Sequence, residues 1–341
     1  MVEGPYARRP KGGNAHDRTE KAGKAHSRRL AFAPMRIAIL GAGGVGGYDG
    51  AVLSRAGNQV QLLARGKHLE ALRTGDLRVT EADGSSWVTR VAATDDATAL
   101  RGSELALVTV KSYDLDAIGP VAADLARHGA TVVPLLNGVE AAERLEHLGV
   151  PRQSLLGGLT AISAERTGPG QVSRKSTFNR VVVGELAGGA SARATEIAAL
   201  FTAAGAQARA SAEMPLELWR KFVFITTMGS CCGLARTSIG PVREAPLGQV
   251  LLERATAESV GVGRAMGVSF APDEVSRVLE QVRSMAPAMK PSFLLDLERG
   301  GPTELDVLMG AVSRLGRQVG VPTPVHDTAV AAFSAALGLK T

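Results

Sequence analysis

Cysteine is nearly absent from this chain: 341 residues hold two, Cys231 and Cys232, side by side. Neighbours in sequence cannot staple distant segments, so a disulfide framework is excluded and a reducing, cytoplasmic setting is expected. The pair is expected to be buried helix thiols, with a reactive pair as the sharper alternative. No apolar run reaches the roughly 18–20 residues of a membrane span, and no signal-peptide core is legible; no membrane partner is expected. There is no zinc-type spacing, no supportable Ser/His/Asp order and no internal repeat. Acids are scarce in one place only. Residues 1–34 carry eight basic groups against three acids, so this segment holds +5 of the formal +6. The rest of the chain is close to neutral, and nucleic acid is not an expected partner of the folded body. The basic segment itself, 1–34, is expected to be a disordered tail.

What is present begins at Met35. Arg36 to Leu40 is a short apolar run of the kind a buried parallel strand needs. Gly41, Ala42, Gly43, Gly44, Val45 and Gly46 follow, with glycines spaced G-x-G-x-x-G, and a helix-period segment runs on to Gly57. In such a turn the first glycine allows a sharp exit from the strand. The second lets backbone approach a pyrophosphate, and the third lets the helix pack close to the sheet with its N-terminus facing the anion. Asp49 is an oddity, adding negative charge near the phosphates. A second strand, Gln59 to Ala64, ends without the acid that would bond the 2′-hydroxyl of NAD. Arg65 and Lys67 stand there instead and suit a 2′-phosphate, which favours NADP(H).

Further strands are expected at Leu77–Thr80, Trp87–Ala92, Leu105–Val110, Thr131–Leu136, Leu155–Ala164, Gln171–Arg174 and Val181–Gly184. Helices are expected at Asp114–Arg127 and Ala192–Ala204. This alternation predicts an α/β fold with a doubly wound sheet. Lys111 and Asn137 each follow a strand, where ligand groups gather; the alternatives are a surface lysine and an Asn-Gly turn. From Glu213 the chain reads as helical, giving a dinucleotide-binding domain over 35–212 and an all-helical domain over 213–341. Leu216–Leu234 is apolar nearly all round, and Lys221 lies inside it. A lysine withdrawn from water loses basicity and becomes a usable proton donor; a lysine snorkelling from the helix surface is the competing account. Ser292 is placed as an N-cap. Thr303 and Asp306 resemble a capping box that opens a long helix, with Glu304 in its first turn.

Taken in order, the glycine turn, Val110-Lys111-Ser112-Tyr113-Asp114, Asn137-Gly138, Trp219-Arg220-Lys221, Lys290-Pro291-Ser292 and Pro302-Thr303-Glu304-Leu305-Asp306 resemble the ketopantoate reductase (2-dehydropantoate 2-reductase) family from about Met35 to Ala335. The resemblance implies that Lys221 is the general acid in reduction of a 2-oxo acid by NADPH. It implies that Glu304 orients cofactor ribose and substrate, that Ser292 contacts substrate, and that Lys111 and Asn137 contact cofactor and substrate. Ala164 then lies against the cofactor, and Arg65 takes its 2′-phosphate. The family's substrate-binding asparagines, however, are replaced here by Ile225, Gly229 and Ile239. This implies retained ketone reduction in a more apolar pocket; Arg236 and Arg243 are expected either to supply the carboxylate contact or to lie on the surface. The rival readings are a reductase of a different ketone or imine, and a catalytically silent NADP-binding regulator. A homodimer is left open.

Overall fold

The computed structural model describes Met1 and residues 33–339; the expectation of a disordered tail lies almost wholly outside the described residues. The elements run β1 (Arg36–Leu40), α1 (Gly44–Arg55), β2 (Gln59–Leu63), α2 (Gly66–Thr74), β3 (Leu77–Thr80), β4 (Ser86–Thr89), β5 (Ala92–Thr94), β6 (Leu105–Val108), α3 (Leu115–Arg127), β7 (Thr131–Pro134) and α4 (Ala141–His147). Then follow β8 (Gly157–Ala161), β9 (Ala164–Gly168), β10 (Gln171–Arg174), β11 (Arg180–Gly184), α5 (Ala192–Ala203) and β12 (Gln207–Ala210). The helical part comprises α6 (Met214–Ala235), α7 (Ile239–Glu244), α8 (Gly248–Ala265), α9 (Glu274–Ser284), α10 (Ser292–Arg299), α11 (Ala311–Val319) and α12 (Pro324–Leu337).

Five parallel strands form the central sheet in the order β5-β2-β1-β6-β7. The inner strands are apolar runs with both faces covered, as a parallel sheet requires: Ile37 to Leu40 and Leu105 to Val108 are all buried. Two smaller sheets, β4-β3-β10-β9 and β12-β11-β8, are added to it. The expected strand Trp87–Ala92 is therefore two strands in different sheets. Leu155–Ala164 likewise divides, its first part pairing with β11 and Ala164 opening β9. α4 and β12 were not expected from the pattern; both are short, and β12 reads Gln-Ala-Arg-Ala, with little apolar signal.

α1 lies between two sheets, and this explains why it is richer in glycine than a phosphate turn alone requires. A Cβ on Gly46 would collide with Gly41 and Thr109 on the central-sheet side, and one on Gly50 would press on Leu62. On the other side, Gly44 abuts the Ala164 backbone and Gly47 abuts Val172. Asp49 is caught in this double packing. It is fully buried, neither carboxylate oxygen has a hydrogen-bond partner, and it does not line the cleft described below. The expectation that it burdens the phosphate site is thus corrected. Burial pushes its pKa up to about 7 from 3.8. A raised carboxyl pKa means that the folded state binds the proton more tightly. Its stabilising contribution is full below the unfolded value and is lost as pH climbs toward about 7, on the order of 4 kcal/mol in all. Asp49→Asn is expected to flatten the fall in urea midpoint between pH 5 and pH 8; an unchanged slope would show that the carboxyl is not the source.

α6 is the axis of the helical part. Pro215 sits in its first turn, and Trp219, Phe222, Val223 and Met228 are buried. Cys231 and Cys232 are free and buried on this helix, and burial pushes both thiols up to about 12, which makes them inert. Thr226 bonds Ser259 of α8 at 3.0 Å, and Glu258 accepts from the backbone N–H groups of Val325 and His326 and pairs with His326 Nδ1 at 2.7 Å. This buried Ser-His-Glu group does not line the cleft described below, and it pins the start of α12 to α8. Two expected caps are not formed. Pro291, not Ser292, is the N-cap of α10. The Thr303/Asp306 box is replaced by a π-turn over Asp306–Gly310, closed by Gly310 N–H donating to Leu305 O at 2.9 Å. Glu304 therefore precedes the helix rather than lying in its first turn. Among the described residues no helix is long and apolar enough to cross a membrane.

Candidate active site

A continuous cleft of about 2260 Å³ runs from the glycine turn to α6 and α10. Ordinary small-ligand pockets hold about 300–1,000 Å³, so there is room for a dinucleotide and a second small molecule together. At one end, Gly41 takes φ +119°, a left-handed value that L side chains rarely adopt and that turns the chain out of β1. Gly43 has nothing within 4 Å of where a Cβ would stand, so its backbone is open to a ligand. Ala42, Gly44 and Val45 line the same wall, and Gly46 packs the helix onto the sheet behind it. The first N–H groups of a helix lack intrahelical partners, and here they start at the turn. The three glycine roles expected from the spacing thus fall on three different surfaces, and the turn fits a pyrophosphate.

Arg65 is exposed at the end of β2, caps α2, lines the cleft and makes no ion pair among the described residues. Lys67 is exposed but lies outside the cleft lining. His68 was not expected. It is buried beside Arg65, and burial, with Arg166 adding to it, lowers its pKa. The neutral ring accepts from Gly170 N–H through Nδ1 at 3.0 Å, which leaves the proton on a buried Nε2 without a partner. No sequence pattern distinguishes such a histidine from a core one.

At the other end, Glu304 is only 5% exposed, yet it is held by three donors from the first domain. Asn137 Nδ2 donates to it at 2.9 Å, Ser112 N–H at 3.3 Å, and Lys111 Nζ lies 3.5 Å away. Lys111 also pairs with Asp296 of α10 at 2.9 Å. Burial works against the Lys111 charge, but Glu304 and Asp296 outweigh it and raise its pKa. Asp296, not singled out in the sequence, further pairs with Arg299, which reaches Glu165 of β9 at 2.9 Å. These contacts tie the two domains across the cleft. Ala164 lines it where β9 meets the glycine turn, and Ser292 is exposed to it at the start of α10.

Lys221 faces the cleft from α6, on one stripe with Glu217, Phe224, Ile225 and Met228, the i, i+4, i+7 spacing of one helix face. Its ammonium has no ion pair among the described residues. Burial lowers its pKa to about 8, with the Glu304 charge pulling the other way. Of the positions where the family's asparagines are missing, Ile225 lines the cleft. Gly229 and Ile239 do not; they are packed inside, Gly229 against Met309 and Phe293. Arg236 and Arg243 are also away from it. Arg236 caps α6, and Arg243 spends its guanidinium on the carbonyls of Val282 and Met285. Neither replaces a lost carboxylate contact; of the two alternatives for these arginines, placement away from the cleft is the one observed. No His/Cys/Asp/Glu group among the described residues is arranged to hold a metal.

A glycine turn that fits a pyrophosphate and a lysine without an ion pair among the described residues line one cleft, as in dinucleotide-dependent oxidoreductases. The comparisons with known proteins say which. The family described as "Ketopantoate reductase PanE/ApbA" matches residues 37–188, and its C-terminal counterpart matches 213–336. The chain belongs to the ketopantoate reductase family. The 2-dehydropantoate 2-reductase of Halobacterium salinarum is 34% identical over 298 residues, covering 86% of this chain and 96% of the relative. The crystal structure of a ketopantoate reductase, described as putative, from Ralstonia solanacearum is 33% identical, with TM-score 0.76, covering 90% of this chain and all of that one. The 2-dehydropantoate 2-reductase structure from Geobacter metallireducens has TM-score 0.81 at 24% identity over 89% of this chain and all of that one, a likeness of fold.

Proposed function

We propose that this protein reduces a 2-oxo acid to the 2-hydroxy acid with NADPH, as 2-dehydropantoate 2-reductases do with 2-dehydropantoate in pantothenate biosynthesis. The carrying observation is Lys221: a partly buried lysine, unpaired among the described residues, with its pKa brought down to about 8, facing the cleft that begins at the glycine turn. NADPH, when bound, supplies a hydride to the carbonyl carbon and leaves as NADP⁺. Lys221 Nζ gives its proton to the carbonyl oxygen, so the ketone becomes an alcohol and the ammonium an amine that solvent reprotonates. Glu304, fixed by Asn137 and Ser112, orients the reactants. Ser292 and the first N–H groups of α10 face the substrate carboxylate. The turn Gly41–Gly46 would hold the pyrophosphate, and Arg65 the 2′-phosphate.

The test is NADPH oxidation by the full chain with a panel of 2-oxo acids. Turnover supports the reading; tight NADPH binding without turnover on any of them supports a silent regulator instead. Arg65→Ser removes a charge-assisted contact of about 1.5–3 kcal/mol. The expected result is a 10–100-fold weaker Kd for NADPH, with that for NADH nearly unchanged. Equal losses for both would place Arg65 outside the 2′-phosphate site.

A further inference from the structure

Beyond Lys221 the cleft is walled by apolar side chains. Phe224, Ile225 and Met228 continue the same face of α6, and Met285, Met289 and Phe293 stand opposite, from the end of α9 to the start of α10. They belong to two separate cores that meet here. Phe224, Met228, Met285 and Met289 pack in one, and Ile225 and Phe293 in the other. Phe224, Ile225, Met285 and Met289 are only partly buried, so apolar surface faces the open cleft and has no protein cover. Three of the chain's eight methionines gather in this wall. Unbranched and polarizable, they adapt to the shape placed against them. Of the polar groups that line this end, Lys221, Glu304 and Ser292 are committed to the carbonyl and carboxylate in the reading above, Asn137 and Lys111 hold Glu304, Lys290 and Arg220 pair with Glu298 and Glu274, and Gln281 is exposed. The wall itself, Phe224, Ile225, Met228, Met285, Met289 and Phe293, offers no side-chain oxygen or nitrogen to meet a hydroxyl on the substrate's side chain.

We infer that the substrate is a 2-oxo acid whose side chain is a branched alkyl or aryl group without a hydroxyl. The inference rests on the reductase reading above. A pocket without a hydroxyl partner rejects the hydroxylated analogue only modestly, by about 10²-fold at most, because nothing in the wall is left unpaired by either. The expected preference over 2-dehydropantoate, which carries a hydroxymethyl group, is therefore 10–100-fold in kcat/KM.

The experiment is steady-state NADPH oxidation with 2-oxo-4-methylpentanoate, phenylglyoxylate and 2-dehydropantoate, on wild type and on Ile225→Asn. A kcat/KM at least tenfold higher for one of the two apolar acids supports the inference, as does narrowing or reversal of the ratio in Ile225→Asn. An equal or higher value for 2-dehydropantoate in wild type overturns the inference and leaves the reductase reading standing. Absence of turnover with all three overturns both. An unaltered ratio in a folded Ile225→Asn shows that this wall does not set specificity. Should the variant not fold, the wild-type ratio alone decides.

Discussion

Lys221→Ala is expected to bind NADPH with wild-type affinity and to lose about 10²–10⁴ in turnover, the range a positioned general acid supplies. The groups proposed to hold the phosphates belong to the α1 turn and the end of β2 rather than to α6, so cofactor titration is a clean control for folding. Removing a lysine that is withdrawn from water also removes a desolvation cost, and the variant should be no less stable than wild type. The same group gives a pH signature. A folded-state pKa lowered to about 8 means that the acid is protonated below that value and bare above it. In the reductive direction kcat/KM should be level through neutral pH and fall tenfold per unit well above pH 8. This limb should disappear in the residual rate of Lys221→Ala. A limb that persists in the variant, or full turnover without the lysine, would remove Lys221 from the chemistry.

Much of this arrangement is legible in the sequence, and the reasons are local. The glycine turn reads well because each glycine answers a constraint within a few residues: a left-handed φ at Gly41, an open face at Gly43, helix-to-sheet contact at Gly46. Lys221 stands out because a charge in an apolar helix is costly wherever the helix packs. What was not legible depends on distant partners. Asp296 and His68 look like surface and core residues until α10 is brought to Lys111 and β9–β10 to α2. Asp49 looks tolerable in a helix until a second sheet covers that helix. The Thr303–Asp306 box has the right letters, yet the chain uses a π-turn. Extra turns of this kind cluster at functional sites, and here the turn directly follows a buried carboxylate, Glu304, that reaches back to the first domain.

That carboxylate carries the second large effect. Glu304→Gln keeps the shape and can still accept from Asn137 or from Ser112, though its NH2 group cannot accept the other bond, and it removes the charge that raises both Lys111 and Lys221. Two changes are expected. Turnover falls by about 10²-fold, the cost typical of a misplaced reacting group. Independently, the basic limb moves to lower pH, because Lys221 loses the one charge that opposes its burial. A purely structural role for Glu304 would lower the rate without moving the limb. Asn137→Ala separates the two, since it loosens the carboxylate but leaves its charge. It should lower turnover with the limb closer to that of wild type than in Glu304→Gln. Glu304→Asp, with the charge restored on a shorter arm, should recover the position of the limb before it recovers the rate. Coincident pH profiles in wild type and Glu304→Gln would mean that the carboxylate sits too far from the Lys221 ammonium to tune it, and its part in the reaction would reduce to holding Lys111 and Asn137 in place.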